Sequence, residues 1–65
     1  MEVLINGSPY SIENDCSVKT LIKELELSGK YAIEINQYII PRSQYTSKKI
    51  NSGDKVEIVQ AIGGG

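Results

Sequence analysis

The hydrophobic period changes twice along this chain. Apolar residues at the spacing of an amphipathic helix occur in one stretch, at Val18, Leu21, Ile22 and Leu25. The residues before and after this stretch alternate between apolar and polar, as strands do. A short helix with one apolar stripe has to bury that stripe against another element. The two changes of period therefore predict an α+β fold, with one main helix packed on one face of a mixed sheet.

Turn and cap residues mark where these elements begin and end. Asn6-Gly7 predicts a tight hairpin, because both residues tolerate positive φ, and Asn36-Gln37 is expected to form a second turn. Ser17 or Asp15 is expected to cap the start of the helix with a side-chain oxygen. Gly29 is expected to be the left-handed residue that ends it.

The alternating runs predict four to five strands before and after the helix. Residues 42–47 are expected to be irregular or a single helical turn. The strands are expected over residues 1–6, 10–13, 31–36, 38–40 and 55–62. This order of elements fits the β-grasp (ubiquitin-like) architecture. We expect one domain over residues 1–62, followed by a flexible glycine tail over residues 63–65.

Composition narrows the function of this 65-residue chain. Seven basic and eight acidic residues give a net charge of −1, which argues against nucleic acid as a partner. The longest apolar runs are too short to span a membrane, and the N-terminus lacks the basic region of a signal peptide. With no His and a single Cys, an acid–base set or a metal centre is not expected. A cytoplasmic protein that is not itself an enzyme is the expectation.

Cys16 is next to the predicted start of the helix, where a thiolate can be favoured. This position would suit a reactive thiol. A position near a helix end is weak support for reactivity, however, and the favoured interpretation is an ordinary small buried residue.

Gly63, Gly64 and Gly65 are the strongest functional candidate. Three residues without Cβ atoms form a thin strip that can enter a narrow active site and that reaches at most about 10 Å when extended. The α-carboxyl of Gly65 is at its tip. The alternative is an ordinary frayed end, which is common at chain termini.

The segment Ile50–Gly65, INSGDKVEIVQAIGGG, resembles the C-terminal signature of the ubiquitin-like sulfur carriers of the ThiS/MoaD family. Its shared features are a Gly-Asp turn, an apolar strand and terminal glycines. The stretch AIEINQYIIPRSQY is similar to the ThiS branch, which has an Asn, an apolar pair and Pro-Arg in this region. Gln60-Ala61 stands where the MoaD branch usually has Pro-Pro. The resemblance spans nearly the whole chain and favours the ThiS branch.

The resemblance implies a definite chemistry. In this family a ThiF-type enzyme uses ATP and magnesium to adenylate the terminal carboxylate, here that of Gly65. Sulfur then replaces AMP, and the resulting thiocarboxylate gives its sulfur to a ThiG-type thiazole synthase in thiamine biosynthesis. The carrier holds no permanent cofactor, and the sulfur donor system and the catalytic groups belong to its partners. Gly63 and Gly64 would thread into the partners' active sites.

A partner-binding surface is expected on the sheet face that the helix leaves open. If Val56 and Ile58 face the helix, Val59 faces away from it. Val59, Ile62 and Tyr38 are the expected contacts with the activating enzyme or the synthase. Arg42 either pairs with an acidic residue of a partner or is simply solvated.

Other functions remain open on the sequence alone. The nearest is a MoaD-like carrier subunit of molybdopterin synthase. A ubiquitin-like modifier would use the same carboxylate, and a non-catalytic β-grasp interaction module would use no reactive group. An independent enzyme is the weakest alternative, because no acid–base set is present.

Overall fold

One helix packs on one face of a five-stranded sheet in the computed structural model, which describes residues 1–60. The elements are β1 (Glu2–Ile5), β2 (Ser8–Ser11), α1 (Val18–Glu24), β3 (Tyr31–Ile35), β4 (Tyr38–Ile39), a 3-10 turn (Arg42–Gln44) and β5 (Lys55–Gln60). The predicted α+β class with one main helix is confirmed. The predicted tail over residues 63–65, and its boundary after residue 62, lie outside the described residues.

The sheet has the strand order β2-β1-β5-β3-β4, so its central strand is the last in sequence. β1 and β5 run parallel, with Leu4 opposite Lys55 and Ile5 opposite Val56. The other neighbouring strands are antiparallel. The sheet is therefore mixed, as predicted, and β5 joins two hairpins that are far apart in sequence.

The start of α1 follows from its cap. Ser17 has an extended backbone, and its Oγ accepts a hydrogen bond of 3.1 Å from the backbone N–H of Thr20. This satisfies one of the amide groups that have no partner in the first turn. Of the two predicted caps, the structure uses Ser17.

The end of α1 differs from the prediction. Glu26, with φ +55°, is the left-handed residue that follows the helix, while Gly29 lies farther along the loop with φ +75°. The N–H groups of Glu26 and Leu27 donate to the carbonyls of Lys23 and Ile22, each at 3.1 Å. These two bonds form a Schellman motif. The chain turns this early because Leu27 packs against the core.

Both predicted hairpin turns are present. Asn6 and Gly7 have φ values of 50° and 84°, and Asn36 and Gln37 have values of 51° and 72°. Two consecutive residues with positive φ match the twist of antiparallel strands. After the first turn β2 begins at once, at Ser8, because this turn needs only two residues. The predicted start of this strand, at residue 10, was therefore too late.

The core is between the helix and the sheet, and its fully buried side chains are aliphatic. The buried residues are Val3, Ile12, Cys16, Val18, Leu21, Ile22, Ile33, Ile35, Ile40, Tyr45, Ile50 and Val56. The ring of Tyr45 stacks on Tyr31, with 6.3 Å between the ring centroids and 15° between the planes. Among residues 1–60, no helix is long and apolar enough to cross a membrane.

Candidate functional site: the end of the central strand

β5 ends at Gln60, and in the sequence Ala61 and Ile62 separate it from the three glycines. The side chain of Asn6 holds the second half of β5. Asn6 Oδ1 accepts a hydrogen bond of 2.8 Å from the N–H of Ile58, and Nδ2 donates to the carbonyl of Ile58 at 3.4 Å. The amide group thus takes the place of a strand backbone where β1 has already turned away. As a result, β5 has hydrogen-bonding partners on both sides as far as Ile58.

A second polar contact fixes the start of β5. Asp54, which is 9% exposed, accepts hydrogen bonds from the N–H of Asn51 at 2.8 Å and from Asn36 Nδ2 at 3.0 Å. Asn36 Oδ1 in turn accepts a bond of 3.0 Å from the N–H of Lys55. We call Asn36, Asn51 and Asp54 the polar clasp. It ties the turn between β3 and β4 to the start of β5. The Asp of the Gly-Asp turn and the Asn before the apolar pair, which are two of the sequence signatures, therefore stabilise the fold through these hydrogen bonds.

The face of the sheet opposite the helix, the open face, carries Val59. Val56 is buried and Ile58 is partly buried against the core, while Val59 is 61% exposed. These positions confirm the predicted directions of the three side chains. Ile62, Gly63, Gly64 and Gly65 were also predicted as site residues, and they lie outside the described residues.

Tyr38, which was also predicted for the partner surface, does not share the open face with Val59. Tyr38 is 75% exposed on the edge strand β4, but it is opposite the buried Ile35 and so is on the helix side of the sheet. Arg42 is exposed at the first position of the 3-10 turn. A role for Tyr38 and Arg42 in binding stays a prediction, and for Tyr38 it would require a contact on the helix side of the sheet.

The strand register shows which other side chains are neighbours on the open face. Ile39 is 71% exposed and is opposite Glu34. Glu34 is in turn directly opposite Glu57, and Ala32 is opposite Val59. The alternating pattern assigned each residue a face, but only the pairing of β3 with β5 shows which residues are neighbours.

Cys16 lies in the core. Its side chain is 3% exposed, and the thiol donates a weak hydrogen bond to the carbonyl of Ser17 at 3.4 Å. Burial raises the pKa of the Cys16 thiol, and the nearby carboxylate of Glu24 raises it further. A buried neutral thiol is a poor nucleophile. The structure thus favours the interpretation as a small core residue.

Residues 1–60 contain no group of three or more His, Cys, Asp or Glu side chains placed to hold a metal ion. Over the same range, every buried side-chain nitrogen and oxygen has a hydrogen-bond partner. The buried polar side chains of this part of the chain thus have their hydrogen bonds within the fold.

Comparison with known sequences gives a consistent family. Residues 3–65 match the family model described as the ThiS family. A protein named sulfur carrier protein ThiS from Escherichia coli is 30% identical over 66 aligned positions, which cover 100% of both chains. A protein named thiazole synthase from Paramagnetospirillum magneticum is 42% identical over 66 positions. The chain spans only 20% of the length of that second protein.

Comparison with solved structures agrees. The crystal structure of a thiamine biosynthesis protein (ThiS) from Geobacter metallireducens superimposes with a TM-score of 0.86. The two chains are 25% identical, and the alignment covers 100% of each. This match confirms the predicted β-grasp fold.

Proposed function

The chain belongs to the ThiS family, and from that premise we propose that it is a sulfur carrier of thiamine biosynthesis whose Gly65 carboxylate accepts the sulfur. The observation that carries the proposal is the match to the family over residues 3–65, which includes all three glycines. The relative that the chain covers in full is named a sulfur carrier.

The chemistry begins with a group that is a poor electrophile. A carboxylate does not lose oxide, so the Gly65 carboxyl must first be activated. Attack of a carboxylate oxygen on the α-phosphorus of ATP expels pyrophosphate and forms an acyl-adenylate, a mixed anhydride. Sulfide (HS⁻) from the sulfur donor system then adds to the acyl carbon, AMP leaves, and loss of the sulfur-bound proton gives a thiocarboxylate on Gly65.

In that chemistry the folded domain is the part that partner enzymes recognise, and the catalytic groups belong to those partners. Those partners are a ThiF-type adenylating enzyme, which uses ATP and magnesium, and a sulfur donor system. A ThiG-type thiazole synthase then takes the sulfur. The similarity of the chain to a stretch of a protein named thiazole synthase supports that last partner.

The position of β5 limits how a partner can approach. Five residues follow Gln60 up to and including Gly65, and they reach at most about 18 Å when fully extended. The active site of an enzyme that acts on the Gly65 carboxyl must therefore lie within about 18 Å of the end of β5.

Intact-protein mass spectrometry tests the proposal. The chain is incubated with an active ThiF-type enzyme, ATP, magnesium and a sulfur donor, and we expect a mass gain equal to one oxygen replaced by one sulfur. A variant with one residue added after Gly65 should show no gain, while a variant with one residue added before Met1 should react normally. An unchanged wild-type mass with a demonstrably active enzyme would refute the proposal.

The acceptor is tested separately. The thiocarboxylated chain is offered to a thiazole synthase and, in parallel, to the large subunit of molybdopterin synthase. Sulfur release only to the thiazole synthase is expected. Sulfur release only to the molybdopterin enzyme would show instead that the chain is a sulfur carrier for molybdopterin synthesis.

A further inference from the structure

The open face presents two pairs of residues in register across β3 and β5. Glu34 is directly opposite Glu57. Two residues farther along β5, Val59 is directly opposite Ala32. Residues two apart on a strand point to the same side and are about 7 Å from each other. An acidic pair and an apolar pair are therefore adjacent on the half of the strand that leads to residue 61.

The acidic pair is an unfavourable arrangement for the isolated chain. Like charges directly opposite on neighbouring strands destabilise a sheet. Lys55 shares this face, but the one ion pair within residues 1–60 joins Lys49 to Asp15, elsewhere on the surface. No cation of the described chain thus pairs with Glu34 or Glu57, although both carboxylates would be stabilised by one.

The apolar pair borders a groove. This cavity has a volume of about 260 Å³ and is lined by Lys30, Tyr31, Ala32, Val59 and Gln60. It is located where β3 begins and β5 ends. The volume is large enough to receive an apolar side chain.

We propose that the acidic pair and this groove form the docking surface for the adenylating enzyme. An Arg or Lys side chain of the enzyme lies between Glu34 and Glu57, and an apolar side chain about 7 Å away fills the groove beside Val59. The proposal rests on the function proposed above, because an enzyme that acts on the Gly65 carboxyl has its active site within about 18 Å of Gln60, close to this surface.

Charge decides between the possible occupants of this surface. Stacking the open faces of two copies of the chain would bring two Glu34–Glu57 pairs toward each other, so a second copy is disfavoured. A partner with a cation at this point removes the repulsion between the carboxylates. An Arg is well suited, since its guanidinium can donate to both carboxylates at once.

Isothermal titration of the chain with a ThiF-type enzyme tests the surface. The double reversal E34K/E57K is expected to raise Kd by about tenfold or more. The matched control E13K/E24K makes the same change in net charge at two exposed carboxylates away from the open face, and less than about a threefold change is expected.

Two further variants separate lost contacts from lost folding. E34Q/E57Q removes the repulsion, so its melting temperature should rise while its Kd increases. Val59→Thr keeps the shape and β-branching of the side chain but makes the groove polar, and a rise in Kd of about threefold is expected. Circular dichroism confirms that each variant is folded.

The outcomes distinguish this proposal from the function itself. Normal sulfur loading with an unchanged Kd for E34K/E57K would overturn the docking surface and leave the carrier function intact. Tight binding that is lost in E34K/E57K, without any sulfur loading of the wild-type chain, would support the surface and refute the carrier function. Loss of binding to a thiazole synthase alone would overturn the assignment of this surface to the adenylating enzyme.

Discussion

Asp54→Asn is the substitution that most directly tests how the polar clasp holds β5. The side chain keeps its shape, but one of its two acceptor oxygens becomes an NH₂ group. In the native chain Asp54 accepts from both the Asn51 N–H and Asn36 Nδ2. After the substitution only one of these donors retains an acceptor, and the other faces a second donor.

The size of the effect follows from these two contacts. A hydrogen bond to a charged group contributes about 1.5–3 kcal/mol, compared with about 0.5–1.5 kcal/mol for a neutral pair, and an unsatisfied buried donor costs about 1–3 kcal/mol. Because the Asp54 side chain is only 9% exposed, water can replace little of what is lost. We expect a loss of about 2 kcal/mol in the free energy of unfolding, or about 8–16 °C in melting temperature for a domain of this size.

Urea unfolding followed by far-ultraviolet circular dichroism measures this loss in a chain that has no Trp. The dependence of the free energy on urea should keep its slope, since the fold is unchanged. Asp15→Asn is the matched control. Asp15 is 83% exposed and pairs with Lys49 at 3.3 Å, so its loss should cost less than about 0.5 kcal/mol. Equal losses in the two variants, or an Asp54→Asn variant as stable as the wild type, would refute the role given to the clasp.

Three further predictions concern the helix and the core. Glu26→Gly should raise the free energy of unfolding by about 1 kcal/mol in urea titrations, because Glu26 has φ +55° and glycine adopts this conformation without strain; a lower stability would contradict the Schellman geometry. Leu21→Ala should lower it by about 3 kcal/mol, since Leu21 is 1% exposed, whereas Tyr38→Ala, at a side chain 75% exposed, should change it by less than about 0.5 kcal/mol. For Cys16, burial raises the folded-state pKa above the ordinary value of 9.0. The resulting stability is complete below the unfolded-state pKa and is lost as the pH rises through the folded-state value, so urea titrations across this range should show a decline that Cys16→Ala reduces.

Local signals predicted most of the fold. Asn6-Gly7 and Asn36-Gln37 form the expected two-residue turns, and Ser17 caps the helix. Each of these depends on residues close in sequence. The end of the helix at Glu26 was missed because the packing of Leu27 on the core imposes the left-handed conformation of Glu26. The helix propensities of the individual residues do not reveal that packing.

The arrangement of the site could not be predicted in the same way. Alternation placed Val59 on the open face, and the structure confirms it. It could not show that Glu34 is opposite Glu57 or that Tyr38 is on the other side of the sheet. Those neighbours depend on the register between strands that are many residues apart in sequence, which the hydrophobic period of a single strand does not specify.

The central position of β5 also sets the order in which this protein can fold. Until residues 55–60 have been synthesised, the chain has only two separate hairpins, β1–β2 and β3–β4, with no strand to join them. An isolated two-stranded hairpin is marginally stable in water. The parallel pairing of β1 with β5 also closes a loop of about fifty residues, and contacts this distant in sequence slow folding. A nascent chain therefore cannot complete its sheet, or offer the open face to a partner, until nearly all of the described sequence has left the ribosome.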